Sequence, residues 1–282
     1  MGRRGVFVIA RLTFREASRR RILLAALALG CVFLLIYGLG IHFIREDMAK
    51  QGQGLQRVVA VPMHSFLALS ALYVVNFLTL ALAVLTSVDT VSGEIDSGTI
   101  HTLAAKPIRR WEIVLGKWLG FVSMLTLYLL LMAGGVVGLT RLILDYAVPN
   151  ALQGLALMWV NEILLLNVTL LGGTRLSSLA NGVLAFAAYG VAFVGGWMEQ
   201  IGAFLGNQTT VMIGILSSLL LPSEALWKRA AYEMRTTLAD AVPPNPFFSS
   251  VSVPSQAMVV YGVCYAAVAL ALAVYSFNRR DL

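Results

Sequence analysis

Apolar positions in this chain seldom alternate with polar ones; they run. Six runs stand out: Ile22 to Ile44, Phe66 to Val88, Trp111 to Thr140, Ala151 to Gly172, Leu179 to Met198 and Met258 to Phe277. Each reaches the ~20 residues that a helix needs to cross ~30 Å of hydrocarbon. Lipid offers no partner to a stray backbone N–H or C=O, so an open chain crosses it as helix. The pattern predicts an all-α integral membrane protein with six transmembrane helices. The third run is longer than a crossing requires, which puts its polar start (Trp111, Glu112, Lys117) at the aqueous edge.

Two segments fit neither span nor simple loop. In residues 1–21, Val6, Ile9, Ala10, Phe14 and Ala17 share one helical face, while Arg4, Arg11, Arg15 and Arg19 take another. Such a helix lies in the membrane surface with its arginines on anionic headgroups. An arm for nucleic acid would waste the apolar face, so no nucleic-acid partner is expected. The second segment, 199–257, opens with an apolar stretch too short to cross. Pro222 and Ser223 then begin a helix in which Trp227, Ala231, Met234 and Leu238 share a face, with Glu224–Lys228 and Arg229–Glu233 at i,i+4 spacing. It predicts a re-entrant or amphipathic hairpin on the outer side. A seventh, broken span is the alternative, and it would put Arg279 and Arg280 outside.

Charge sets the orientation. With the N-terminus inside, 14 of the 21 lysines and arginines fall on that side and 7 on the other, the bias of cytoplasmic loops. Both termini are expected in the cytoplasm of a prokaryotic-type inner membrane. The first run follows seven arginines and is too long for the core of a cleaved signal, so it is expected to stay as a span. Cys31 and Cys264 sit inside apolar runs and read as buried free thiols. His42, His64 and His101 have no metal-ligand spacing, and no G-x-S-x-G or HExxH constellation occurs. Neither a metal site nor an intramembrane hydrolase is expected.

One polar island remains, SGEIDSGTIHTLAAKPIRR at 92–110, on the cytoplasmic side. Ser97 can cap a short helix from about Gly98 to Ala105 that Pro107 stops. Two turns are marginal alone, and the small apolar patch of Ile100, Leu103 and Ala104 suits docking in another protein's groove. The run Ser92-Gly93-Glu94, Asp96-Ser97-Gly98-Thr99, Lys106-Pro107, Arg109-Arg110 and Gly116-Lys117 resembles the cytoplasmic loop of ABC-2 type transporter permeases. The likeness covers essentially the whole chain, including the basic N-terminal helix (the family's elbow, 1–21), the outer hairpin (199–257) and the ending Phe277 to Leu282. It is closest to free-standing permease subunits, including that of the ABC complex for nitrous-oxide reductase maturation.

The resemblance implies that 89–110 carries a coupling helix against an ABC ATPase, with Glu94, Asp96, Gly98, Thr99, Ile100, Leu103, Pro107 and Arg110 as the contact set. It also implies a second permease copy. Gly116-Lys117 continues with Trp118 and is no Walker A loop. The chain is therefore expected to be no enzyme and to bind no cofactor directly, with ATP and Mg held by a separate ATPase subunit. Glu162 is the one acid deep in a span, which marks it for function by default. Asn76, Thr79 and Thr86 form a weakly polar stripe with Ala83 and Thr90. Ala188 and Ala192 belong to a small-residue stripe from Asn181 to Glu199. Both stripes are candidates for the substrate path or the dimer interface, and Gly134 with Gly138 for helix packing. The reading is an exporter permease. The alternative is an ABC-driven mechanical transducer that works on an extracytoplasmic partner through the outer hairpin without transport.

Overall fold

The computed structural model describes residues 2–50, 56–90, 109–236 and 252–279. The described residues are helical throughout: α1 (Gly2–Ser18), α2 (Arg21–Lys50), α3 (Gln56–Ser87), α4 (Arg110–Leu144), α5 (Ala151–Gly173), α6 (Ser178–Leu205), α7 (Gln208–Leu220), α8 (Ser223–Met234) and α9 (Gln256–Asn278). Six of them, α2 to α6 and α9, are long and apolar enough to cross a membrane. They overlie the six runs of the sequence, with α3 starting well before its run and ending at Ser87.

The centre of the bundle is α5, which packs on α9, α8 and α3. Around it, α3 packs on α4 and α5, and α2 leans on α4 and α3 from the rim. Two tyrosines pin α2 there. Tyr128 Oη donates to the Ala26 carbonyl at 3.1 Å, and Tyr37 Oη meets Thr140 Oγ1 at 2.7 Å. The rest of α2 (Leu24, Leu35, Ile36, Leu39, Phe43) faces outward, as a helix solvated by lipid does. Cys31 and Cys264 are free and also face outward. The expected burial fails because an apolar run says nothing about which of its faces is covered.

The helix breaks follow from local chemistry. Gly206 takes φ 70° behind α6, the left-handed stop that glycine supplies without strain. Asn207 then caps α7, its side chain accepting from the Thr210 N–H at 3.2 Å. Leu221 is extended because it precedes Pro222, and there α7 and α8 meet at 106°. The α4–α5 turn places Asp145 and Asn150 at positive φ, which their short polar side chains tolerate.

Glycines mark a close crossing of α1 on α4, though not those expected. A Cβ at Gly134 or Gly138 would meet nothing within 4 Å among the described residues. One at Gly116 would stand 2.6 Å from Ile9 Cβ, and one at Gly120 would stand 2.8 Å from the Ala10 carbonyl. The GxxxG that works lies one turn inside α4 and seats α1 across it. The predicted face of α1 is the one it uses, with Ile9 and Ala17 buried and Arg11 and Arg15 exposed. Thr13 joins the buried side, and Phe7, Val8 and Leu12 are exposed beside it.

Candidate functional site

The polar segment 91–108 enters at the end of α3 and leaves at Arg109, and the described residues at both ends are tied down. At the entry, α3 ends with carbonyls that have no helical partner. Lys117 Nζ, about two turns into α4, donates to the Thr90 carbonyl at 3.0 Å. Asn181 at the start of α6 donates to the Val88 carbonyl at 3.2 Å and to the Thr169 carbonyl of α5 at 3.0 Å. Asp89 accepts from Ser178 Oγ at 3.3 Å and pairs with Arg20 at 3.6 Å, while Arg20 also holds Glu16 of α1 at 2.9 Å. Three residues, 88 to 90, thereby touch the turn between α1 and α2, α4 and α6 at once. A lysine at a helix C-terminus also meets the negative end of the helix dipole.

The exit is joined to the end of α9. Arg110 Nη1 donates to the Asn278 carbonyl at 3.4 Å. Nearby, Arg175 Nε in the α5–α6 turn donates to Ser276 Oγ at 2.9 Å, and Thr174 Oγ1 bonds the same hydroxyl at 3.0 Å. A push on the segment therefore has a covalent or hydrogen-bonded route to α1, α3, α4, α6 and α9. Arg110 is the one member of the expected contact set among the described residues. Glu94, Asp96, Gly98, Thr99, Ile100, Leu103 and Pro107, with the short helix expected at 98–105, lie outside them.

Residues 7–282 match the family described as ABC-2 family transporter protein. The chain belongs to that family. No curated protein matches it. Membership makes it a multi-pass membrane component of an ABC transport system.

The remaining expected residues of this ABC-2 protein turn inward. Thr79 and Thr86 return their hydroxyls to carbonyls of their own helix, as does Thr90, which satisfies them without a ligand. Asn161 Nδ2 reaches Asn76 Oδ1 at 3.2 Å and joins α5 to α3. Asn76 Nδ2, Asn161 Oδ1 and both oxygens of Glu162 have no hydrogen-bond partner among the described residues, and Glu162 is 1% exposed. Ala192 is fully buried and Ala188 half-buried within the single chain. Their stripe continues into Gly195, which meets Ser217 of α7, and Glu199, which lies against Gly214. The face that α6 leaves uncovered is the opposite one, with Val183, Leu184, Val191 and Val194.

The far end of the bundle holds a second polar cluster. Lys228 of α8 pairs with Glu199 of α6 at 2.9 Å, both nearly buried. It does so in place of the expected i,i+4 partner Glu224, which lies over Gly196 and accepts from Tyr73 Oη at 3.4 Å. Ser252 Oγ also donates to Glu199, and Gln200 Nε2 donates to the Ser252 carbonyl at 3.0 Å. Arg229 and Glu233 do pair at i,i+4. Sequence reasoning missed Lys117, Asp89 and Asn181 as a set, because their partners come from three helices. The one signal was a lysine a full turn inside an apolar run, where an unpaired charge would be costly.

Proposed function

We propose that this chain is the permease subunit of an ABC exporter, with both termini in the cytoplasm. A separate ATPase subunit, holding ATP and Mg, docks on residues 89–110 and drives movement of substrate outward. Two copies form the working unit. What carries the reading, beside family membership, is the root of the segment. Residues 88–90 and Arg110 are bonded to the α1–α2 turn, α4, α6 and α9, so a displacement imposed there reaches several spans together. In this reading α1 rides on the inner membrane surface, and the α7–α8 pair dips into the outer leaflet and returns.

The test is Leu103→Asp, which puts an unpaired charge in the contact. The variant should lose copurification with the ATPase and coupled ATP hydrolysis while the chain keeps its own melting temperature. Normal values for both would sink the docking claim. Vesicle uptake of candidate substrates separates the exporter from the transducer. ATP-dependent coupling with no transport at all would favour a device that acts on an extracytoplasmic partner through α7 and α8.

A further inference from the structure

We infer that the groove between α1 and the first turns of α4 holds one acyl chain of an anionic phospholipid, its phosphate met by Arg11. The groove is a cavity of about 340 Å³ lined by Val6, Phe7, Trp111, Leu115, Trp118 and Leu119. It is a consequence of how α1 is seated. Gly116 and Gly120 let Ile9, Ala10 and Thr13 close down on α4. The Val6 carbonyl also lies against Gly116, while the neighbouring positions of α4 carry two tryptophans and two leucines and leave a gap beside the Val6 and Phe7 side chains. Trp118 cannot turn to fill the gap, because its Nε1 donates to Asn167 Oδ1 at 2.7 Å. The volume lies in the range of sites that hold small organic ligands, ~300–1,000 Å³.

The surroundings select the occupant. Phe7, Val8 and Leu12 are 68%, 58% and 60% exposed, so the side of α1 next to the groove is itself apolar and the mouth opens toward lipid. Arg11 lies one turn beyond Phe7, and Arg15 one turn further; both are exposed. The one acid of α1, Glu16, is held by Arg20, and Glu112 of α4, beside Gly5, is buried, so the charge displayed beside the groove is positive. An apolar slot with guanidinium groups one turn from its lining matches a hydrocarbon chain with a phosphate at its end. An apolar side chain from residues 91–108 would fit the slot but has no use for the arginines.

Native mass spectrometry of the full chain in mild detergent tests this. Phosphatidylglycerol and phosphatidylcholine of the same acyl composition are titrated separately onto the wild type, Arg11→Gln and Leu115→Trp. One phosphatidylglycerol per chain should bind roughly tenfold tighter than phosphatidylcholine, whose choline cation cancels the charge of its phosphate beside the guanidinium, a difference on the order of one charge-assisted contact. Arg11→Gln should bring the two lipids to equal affinity, and Leu115→Trp, which fills the groove, should remove the tight site for both. Should Leu115→Trp fail to fold, Arg11→Gln decides alone, since it changes an exposed side chain. Equal affinities in the wild type overturn the proposal, as does a tight phosphatidylglycerol indifferent to Arg11→Gln. No tight lipid on the wild type also overturns it.

Discussion

Lys117 Nζ and the Thr90 carbonyl are joined at 3.0 Å, with the lysine 6% exposed. The bond closes a loop between the end of α3 and the start of α4, so the segment between them has a fixed base whatever it docks on. Lys117→Met keeps the stem and removes the donor. It should cost the chain about 1–3 kcal/mol, the penalty for a buried carbonyl left unmet, while Lys117→Arg should recover part of it. Thermal unfolding in detergent reads the first effect. With the ATPase present, the Met variant should also lose part of its coupled turnover. A Met variant that melts and turns over with the wild type would make the bond incidental.

Gly120 and Gly134 should respond to alanine with opposite signs. A methyl at Gly120 stands 2.8 Å from the Ala10 carbonyl and from Thr13 Cβ, and backbone cannot yield cheaply. Gly120→Ala should destabilise by ~1–3 kcal/mol, the cost of overpacking. Gly134→Ala meets nothing within 4 Å and should gain up to ~1 kcal/mol from helix propensity. Melting of the two variants side by side checks this. A loss at Gly134 as large as at Gly120 would mean that Gly134 is also covered, for instance by a second copy.

This pair also marks how far the sequence could be read. Run length alone located six spans, since ~20 apolar residues have few other uses. The buried face of α1 was legible from the spacing of Ile9 and Ala17 against Arg11 and Arg15. Which of two GxxxG motifs of α4 is used was not legible, because both have the same spacing and the choice lies with α1, which is distant in sequence and meets Gly116 and Gly120 only in the folded chain. Lys228 likewise had a local partner in Glu224 and took a distant one in Glu199. A partner 29 residues off leaves no periodic trace.

The Glu199–Lys228 pair should behave as a buried pair and not as a surface one. Glu199→Gln leaves an ammonium that has 6% of its side-chain surface exposed. Breaking such a pair from one side typically costs ~3–5 kcal/mol, whereas replacing both charges by apolar groups is often neutral. Glu199→Leu with Lys228→Met should therefore be more stable than either single variant. A double-mutant cycle of unfolding free energies would measure it. Additive losses across the cycle would show that the two charges act independently.

Topology is open to a direct check. Ser177 in the α5–α6 turn and Asn207 in the α6–α7 turn are both exposed and stand at opposite ends of α6. The basic-residue bias puts Ser177 inside. In a chain freed of Cys31 and Cys264, Asn207→Cys should react with a membrane-impermeant maleimide in intact cells, and Ser177→Cys only after lysis. The reverse pattern would invert the orientation and move the proposed ATPase contact to the wrong side.

The last prediction concerns the stripe on α6. Ala192 is fully buried inside one chain, packed in a cluster with Leu80, Leu164, Leu221 and Tyr189, while Val191 beside it is 50% exposed. Lipid supplies no hydrophobic drive between helices, so a small residue there contributes through close packing. Ala192→Leu adds bulk to a filled space and should destabilise the chain by about 1–3 kcal/mol. Val191→Leu adds it to a lipid-facing surface and should change little. What separates packing within the chain from a contact with a second copy is concentration. If Ala192 packs within the chain, the melting loss of Ala192→Leu is the same at every protein concentration, and dimer yield among folded molecules is unchanged. If instead the loss grows on dilution and dimer yield falls with normal melting of the monomer, the stripe touches the second copy and the packing on α3 and α5 is not what Ala192 serves.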